Sequence, residues 1–418
     1  MRTAHLNAIA CLYFVACATE GSPKVHGVEI IPDAGEGADS AAQADSGKAA
    51  GDAAIDTGAA DAAGDAAPAV DAASDAGPPG CGAGATVLLA GSAASLAGGG
   101  ASGNGVPTVI PVSGSAIDRI AIAPSGANFV AAIRASNGLL ASSVYSNAWS
   151  SAAAVPNAKA TIDAPSLATL AGTTHLAYHD ANFKFEHRQF SGGAWDVADD
   201  PVGGGGNNQA FGPSGASIAA AGSELEFVQS GDNYFLYDLA WKNSLWQSPH
   251  QQPNAAIEKT LPPTVVALTG GTQELLAVYL RKGDFKIMSV ARSGGVWDSN
   301  PVLVDVNAFS SDALALAPMG SGRALLAYRG SNQQPYFSVY DPAKSPVWTA
   351  PAALYVSNPT IASPPSLAAG ICADAAVIAY AKLAGGVELA HFDGAKFGPP
   401  AAVAGTSSAT FVAIATRP

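Results

Sequence analysis

Six large polar residues recur at one place in this 418-residue chain: Arg134, His179, Gln229, Arg281, Arg329 and, displaced by one residue, Lys382. Each follows or ends a short apolar stretch, written in turn FVAAIR, HLAYHD, LEFVQS, LLAVYL, LLAYRG and VIAYAK. Most open a turn-rich segment, such as Ser136-Asn137-Gly138, Asp180-Ala181-Asn182, Gly231-Asp232-Asn233 or Gly330-Ser331-Asn332. Donors of this kind beside Asn and Asp acceptors suit a hydroxyl-rich ligand, because a sugar is held by many directional hydrogen bonds. Asn, Asp and Gly are also what a tight turn uses for its own backbone. A ligand-binding ring and a set of solvated turns are both open.

Other chemistry finds little support. A GxGxxG pattern at Gly98, Gly100 and Gly103 reads as low complexity, with no strand before it and no helix after it, so the phosphate-cradling context is missing. No GxSxG nucleophile elbow occurs. His175 and His179 stand in HLAYH, without the Glu of HExxH; on a strand their backbones are ~13 Å apart, too far for one zinc. Neither a metal site nor a cofactor is expected. Beyond Cys81 the glutamates are only Glu186, Glu224, Glu226, Glu258, Glu274 and Glu388. A glycosidase needs two opposed carboxyls, and no position in the sequence suggests them.

What positions these residues is a repeat. Trp149, Trp195, Trp246, Trp297, Trp348 and Phe397 are spaced 46, 51, 51, 51 and 49 residues apart. Before each lie alternating apolar stretches and a Gly- or Asn-containing hairpin signal, as in YSNAW, SGGAW, SGGVW and FDGAKF. Four short strands per unit at a fixed period predict an all-β propeller. The units fall near 117–162, 163–212, 213–259, 260–311, 312–361 and 362–408. Residues 82–116 and 409–418 together make about one more unit, with ATFVAIA reading as an innermost strand and VPTVIPV as an outermost one. Seven four-stranded blades are expected, the seventh shared by both ends; six is the alternative, because Ser95–Gly105 reads as a poor middle strand. The repeated Trp reads as a packing peg between sheets, and Trp241, outside the pattern, as a surface aromatic.

These units resemble the blades of sialidase-like (BNR-type) propellers and of bacterial lectin propellers, over Ile117–Ser408. The sialidase resemblance implies three arginines clamping a carboxylate, a Tyr/Glu pair and SxDxGxxW boxes. Here the turns are SGGAW and SGGVW, and Arg119-Ile120-Ala121 lacks the Pro of the family's early Arg-Ile-Pro. No catalytic residue is assigned. The reading is a binding module for glycans or cell-envelope polymers. A sialidase-like glycoside hydrolase is one alternative, and a protein-binding or structural lipoprotein another.

The first residues, MRTAHLNAIACLYFVAC, carry one cation and a nine-residue apolar run, too short to span a membrane and suited to a signal peptide over 1–16. Phe14-Val15-Ala16-Cys17 resembles a bacterial lipobox, which implies lipidation of Cys17 and a membrane anchor; an ordinary cleaved signal is the alternative. Residues 18–80 hold 12 acids against Lys24 and Lys48 and no aromatic. Such a segment cannot bury enough apolar surface to fold, so 17–80 reads as a lipidated N-terminus and disordered linker, with 81–418 as the propeller. The chain's −13 charge resides mostly in that linker and argues against nucleic acid as a partner. Cys81 and Cys372 remain in the fold, and an exported chain favours a disulfide between them over two free thiols. A monomer in the cell envelope is expected, with secreted or periplasmic location as the alternative.

Overall fold

The computed structural model describes residues 84–103, 105–204, 209–355, 357–372 and 374–417. The signal sequence, Cys17, the linker and Cys81 lie outside them. The described chain forms seven antiparallel sheets. Blades one to six begin with inner strands Ala121–Ser125, Ser166–Leu170, Ser217–Ala221, Thr264–Ala267, Ala315–Pro318 and Ser366–Ala369. Second strands follow at Asn128–Arg134, Thr173–His179, Glu224–Ser230, Gln273–Leu280, Ala324–Arg329 and Ala376–Ala381. Blades two, three and four carry an additional short outer strand.

The second strands explain the high apolar content. Ala376–Ala381 is buried at every position and Asn128–Arg134 at all but its ends. A blade is covered on both faces by its neighbours, so its middle strands read as continuous apolar runs rather than alternating ones. Buried side chains accordingly gather into seven clusters, each shared by two adjacent blades. The inner strands have no sheet partner on their channel side, and hydroxyls supply part of the missing pairing. Ser166 Oγ accepts from Ile218 N at 3.1 Å, Ser217 Oγ from Val265 N at 3.2 Å and Ser366 Oγ from Ile414 N at 3.1 Å, each from the next blade. They surround a central channel of about 450 Å³.

The seventh blade is built by both ends of the chain, in the order Thr108–Val112, Leu96–Ser102, Ala85–Gly91, Phe411–Arg417. Ala85–Gly91 pairs along its whole length with the C-terminal strand, from Ala85 opposite Arg417 to Gly91 opposite Phe411. The glycine run, low in complexity as it is, is therefore not a poor strand. A strand precedes it, and it is itself the third strand of this blade. A Cβ on Gly98 would collide with the Trp149 indole, and one on Gly100 with the Tyr145 hydroxyl. Glycine is what lets blade one seat its aromatic residues on this sheet.

In four blades the repeated Trp is the peg, whereas Trp246 is half-buried and its indole N–H has no hydrogen-bond partner among the described residues. Trp149, Trp195, Trp297 and Trp348 are buried, as is Phe397. Each indole N–H reaches into the preceding blade: Trp149 to Leu88 O at 2.9 Å, Trp195 to Ser142 Oγ at 2.9 Å, Trp297 to Glu226 Oε1 at 3.3 Å and Trp348 to Ser289 Oγ at 2.9 Å. Apolar area and a directed hydrogen bond thus come from one side chain. Trp241 is not a surface aromatic. It packs edge-on against His175 at 4.9 Å, between blades two and three.

Candidate functional site

The turns joining second to third strands share one geometry. In five blades a hydrogen bond closes them: Ala135 N to Leu139 O, Asp180 N to Lys184 O, Gly231 N to Phe235 O, Gly330 N to Gln334 O and Lys382 N to Gly386 O. The residue before each closure is then Arg134, His179, Ser230, Arg329 and Ala381. Gln229 and Lys382 stand one position away from this register, and a one-residue step turns a strand side chain to the other face. In blade four the turn closes from Arg281 N to Lys286 O and holds one residue more. The six residues do not form one uniform ring.

Those in register clamp the fold. Arg134 Nη1 lies 3.5 Å from Asp118, and its Nε donates to Thr161 O at 3.0 Å. Arg329 repeats this with Asp312 at 3.3 Å and Ile361 O at 3.0 Å. His179 is buried, 2.7 Å from Asp163, and stacked on Phe185 at 4.5 Å. Ser230 does the same in neutral form, 2.8 Å from Ser214. Asp118, Asp163, Ser214 and Asp312 each stand three residues before an inner strand. The clamp therefore ties the chain entering a blade to the end of its second strand. Those aspartates were the signal the sequence offered and the polar ring obscured. Arg281 pairs with Asp284 of its own turn at 2.5 Å, and Lys382 with Glu388 at 2.7 Å. Arg134, Arg281 and Arg329 belong to three different blades, and each is engaged by its own carboxylate, Asp118, Asp284 and Asp312.

The turn asparagines serve the turns as well. Asn137, Asn233, Asp284 and Asn332 each accept from the backbone N–H two residues on, at 3.0, 3.3, 3.3 and 3.1 Å. The two histidines of HLAYH have separate fates. His175 lies 2.9 Å from His187, where burial and then that neighbour push its pKa down to about 4. Cys372 is disulfide-bonded, and the other cysteines fall outside the described residues.

Gln229 is different. It is 3% exposed, and its Oε1 has no hydrogen-bond partner among the described residues. It lines a cavity of about 400 Å³ with Gln209, Phe211, Asp232, Asn233, Tyr237 and Pro249, at the junction of blades two and three. One wall is a rigid polar frame: Asn233 Nδ2 donates to Tyr237 Oη at 2.8 Å and to Gln251 Oε1 at 3.0 Å, and Tyr237 Oη donates to the same oxygen at 2.8 Å. The other wall is Phe211, 55% exposed. An apolar ring face opposite fixed amides and a carboxylate is a setting for a sugar ring.

A second cavity of about 250 Å³ lies between blades three and four, lined by Glu226, Asp238, Lys242, His250 and Arg292 among others. Arg292 serves Glu226 at 3.0 Å, Glu224 at 3.3 Å and Glu274 at 3.9 Å. One guanidinium cannot neutralise that many acids. Burial, with Asp238 beside it, outweighs Arg292 and raises Glu226 to about 7. Sequence reasoning named these glutamates without pairing them, because Glu224 and Glu226 stand in blade three while Glu274 and the shared Arg292 stand in blade four.

The sequence matches no family model and no curated protein. Among solved structures it is similar to the BP39L lectin of Burkholderia pseudomallei, with a TM-score of 0.61 and 13% identity over 77% of this chain and 95% of that one. It is also similar to AofleA from Arthrobotrys oligospora (TM-score 0.50, 13% identity, 71% and 88% covered) and to a fucose-specific lectin from Aleuria aurantia (TM-score 0.50, 13% identity, 71% and 99% covered). At such identity the likeness is one of fold.

Proposed function

We propose that this chain is a glycan-binding module that acts by binding alone, and that a sugar ring seats in the cavity over Gln229. The observation that carries the reading is the unpartnered, buried Oε1 of Gln229 at a cavity walled by Phe211 and Tyr237. An unmet buried acceptor costs about 1–3 kcal/mol, and a ligand hydroxyl would satisfy it. Phe211 would take the apolar face of the ring, while Asn233 and Asp232 address its edge. The lectin propellers of similar fold support the same direction. The module would be carried on a lipid at Cys17, held off the membrane by residues 18–80, with Cys81 paired to Cys372 where linker meets blade. A glycan array probed with the full chain tests the reading. At least one class of glycan is expected to bind, and Phe211→Ala and Gln229→Leu should each weaken it tenfold or more with the melting temperature kept within a few degrees. No binding across the array, or binding indifferent to both substitutions, overturns it. Release of Cys17→Ser protein from the membrane fraction tests the anchor separately.

A further inference from the structure

The turns that close the blades carry, at one equivalent position, a residue in the left-handed region. In blades one and six this is Gly138, at φ 76°, and Gly385, at φ 93°. In blades two, three and four it is Phe183 at 61°, Tyr234 at 65° and Phe285 at 56°, and in blade five Gln333 at 64°. The equivalence is set by hydrogen bonding. Each of these N–H groups reaches back to the start of its turn: Gly138 to Ala135 O, Phe183 to Asp180 O, Tyr234 to Gly231 O, Phe285 to Arg281 O and Gly385 to Lys382 O. Bulky residues are rare in that conformation, where glycine sits without strain. Four consecutive blades thus hold a large side chain where the turn itself favours glycine, and in three of them it is an aromatic ring. Backbone strain of this kind at a surface turn points to a use for the side chain.

The rings do not stand alone. The carbonyl of each left-handed residue accepts from the chain entering the next blade, Gly212 N to Phe183 O and Ser310 N to Phe285 O, both at 3.2 Å. The residues just before those donors are Phe211 and Phe309. Two Phe pairs result, Phe183 with Phe211 and Phe285 with Phe309, and Tyr234 stands in the blade between them. The four phenylalanines are 54%, 55%, 37% and 41% exposed. Scattered exposed apolar residues need no explanation; a set repeated at equivalent turns along one rim does.

Charge says what would lie on them. Lys184 and Lys286 pair by their backbones with Phe211 and Phe309, and the ammonium groups of Lys259 and Lys282 lie over the Tyr234 ring at 4.7 and 3.7 Å. Among the described residues none of these four lysines makes an ion pair, whereas Lys159, Lys242, Lys344 and Lys382 all do. The rim therefore offers ring faces and unneutralised ammonium groups together.

We propose that Phe183, Phe211, Tyr234, Phe285 and Phe309 form a stacking track for an anionic polysaccharide laid across blades two to five, with the Gln229 cavity as one of its subsites. This rests on the glycan reading and extends it from one sugar to a polymer. Pyranose faces stack on the four phenylalanine rings, and the polymer's carboxylates or sulfates meet the lysines, two of which Tyr234 holds on its ring. A single-stranded nucleic acid would also stack, but it carries a phosphate at every residue and needs a more strongly basic groove than four lysines make, whereas the Gln229 cavity suits a sugar ring.

The test uses the full chain with polygalacturonate, dextran sulfate, neutral dextran and a thymidine oligonucleotide as probes. At least one anionic polymer should bind at least fivefold more tightly than dextran, and weaken as salt is raised. Phe285→Gly and Phe309→Ala lie away from the Gln229 cavity and should each cost that polymer about fivefold or more. Phe285→Gly should at the same time hold or raise the melting temperature, because it relieves the turn. Lys259→Gln with Lys282→Gln should flatten the salt dependence. Equal binding of neutral and anionic polymers, tighter binding of the oligonucleotide, or full polymer affinity in Phe285→Gly overturns the track. Short glycans whose binding depends on Gln229 but not on Phe285 would leave the cavity standing and remove the track. Loss confined to the Phe285 and Phe309 variants, with Gln229→Leu silent, would do the reverse.

Discussion

Blade four meets its two neighbours in opposite ways. At its junction with blade five, the Trp348 peg donates to the Ser289 hydroxyl amid an apolar cluster that includes Leu276, Val278, Leu326 and Tyr328. At its junction with blade three, the equivalent peg, Trp297, donates to a carboxylate, Glu226, which is itself bonded to Arg292. The peg needs only an acceptor, and a serine or a backbone carbonyl serves as well, as Trp149 on Leu88 shows. Glu226 and Arg292 are 2% and 6% exposed, and removing such charges from water costs several kcal/mol per ion before pairing returns it. The charged junction therefore exceeds what ring closure requires, and a cavity reaches it from solvent. The lesson is that the seal between blades is tolerant, so departures from the apolar form mark the places where a blade does something besides seal.

The sharpest way to break this contrast is to remove one charge. Arg292→Met leaves Glu224, Glu226 and Glu274 facing one another without the cation they share, and among the described residues only Glu224 has a second cation, Lys242 at 2.7 Å. Breaking a buried pair from one side costs about 3–5 kcal/mol, read as a fall in the denaturant midpoint at unchanged slope. Replacing Glu226 and Arg292 together by Leu and Met should restore most of that loss. If the single substitution is harmless, the junction is not a coupled charge site.

A smaller effect separates the two junctions by pH. Glu226 has a folded pKa near 7 against an ordinary value of 4.5, chiefly through burial. A carboxyl raised on folding holds more protons in the native state, so its contribution is complete below the unfolded pKa and is lost as pH climbs from about 4.5 to 7. At about 1.4 kcal/mol per unit the loss reaches about 3 kcal/mol at most. Urea melts between pH 5 and 8 should show stability falling with pH in the wild type and a flatter profile in Glu226→Gln. A substitution at the neutral junction, such as Ser289→Ala, should leave the slope as it is. Parallel profiles for wild type and Glu226→Gln would remove Glu226 as the titrating group.

How far the sequence reached follows the same division. The peg period, the hairpin turns and the two terminal half-blades were legible because each is a local pattern repeated at fixed spacing. The glycine run at Gly98 to Gly100 misled, since its reason lies in Trp149 and Tyr145 of another blade. Arg134 and Arg329 stood out as polar residues at strand ends, yet their partners, Asp118 and Asp312, lie sixteen and seventeen residues earlier. Gln229 was singled out within that row, and the structure sets it at a cavity for a reason the row does not contain: it sits one residue off the clamp register. Glu226 and Arg292 are 66 residues apart, and nothing local in either blade announces the pair.

The smallest of these effects concerns the neutral junction itself. Ser289 Oγ accepts from Trp348 and lies 3.3 Å from Val302 O, to which it donates. Ser289→Ala removes both bonds and leaves the buried indole N–H without an acceptor, while adding no charge and opening little space. Leaving one donor unmet costs about 1–3 kcal/mol, and the apolar packing around Trp348, 2% exposed, stays in place. A loss at the low end, about 1 kcal/mol, is therefore expected in a denaturant melt, well below that of Arg292→Met. Trp348→Phe should cost more than Ser289→Ala, because it removes ring area as well as the N–H, and adding Ser289→Ala to it should then cost little further. That non-additivity is the signature of one shared hydrogen bond. If the two losses simply add, the peg at this junction holds by area alone, and the carboxylate under Trp297 loses its standing as a substitute for Ser289.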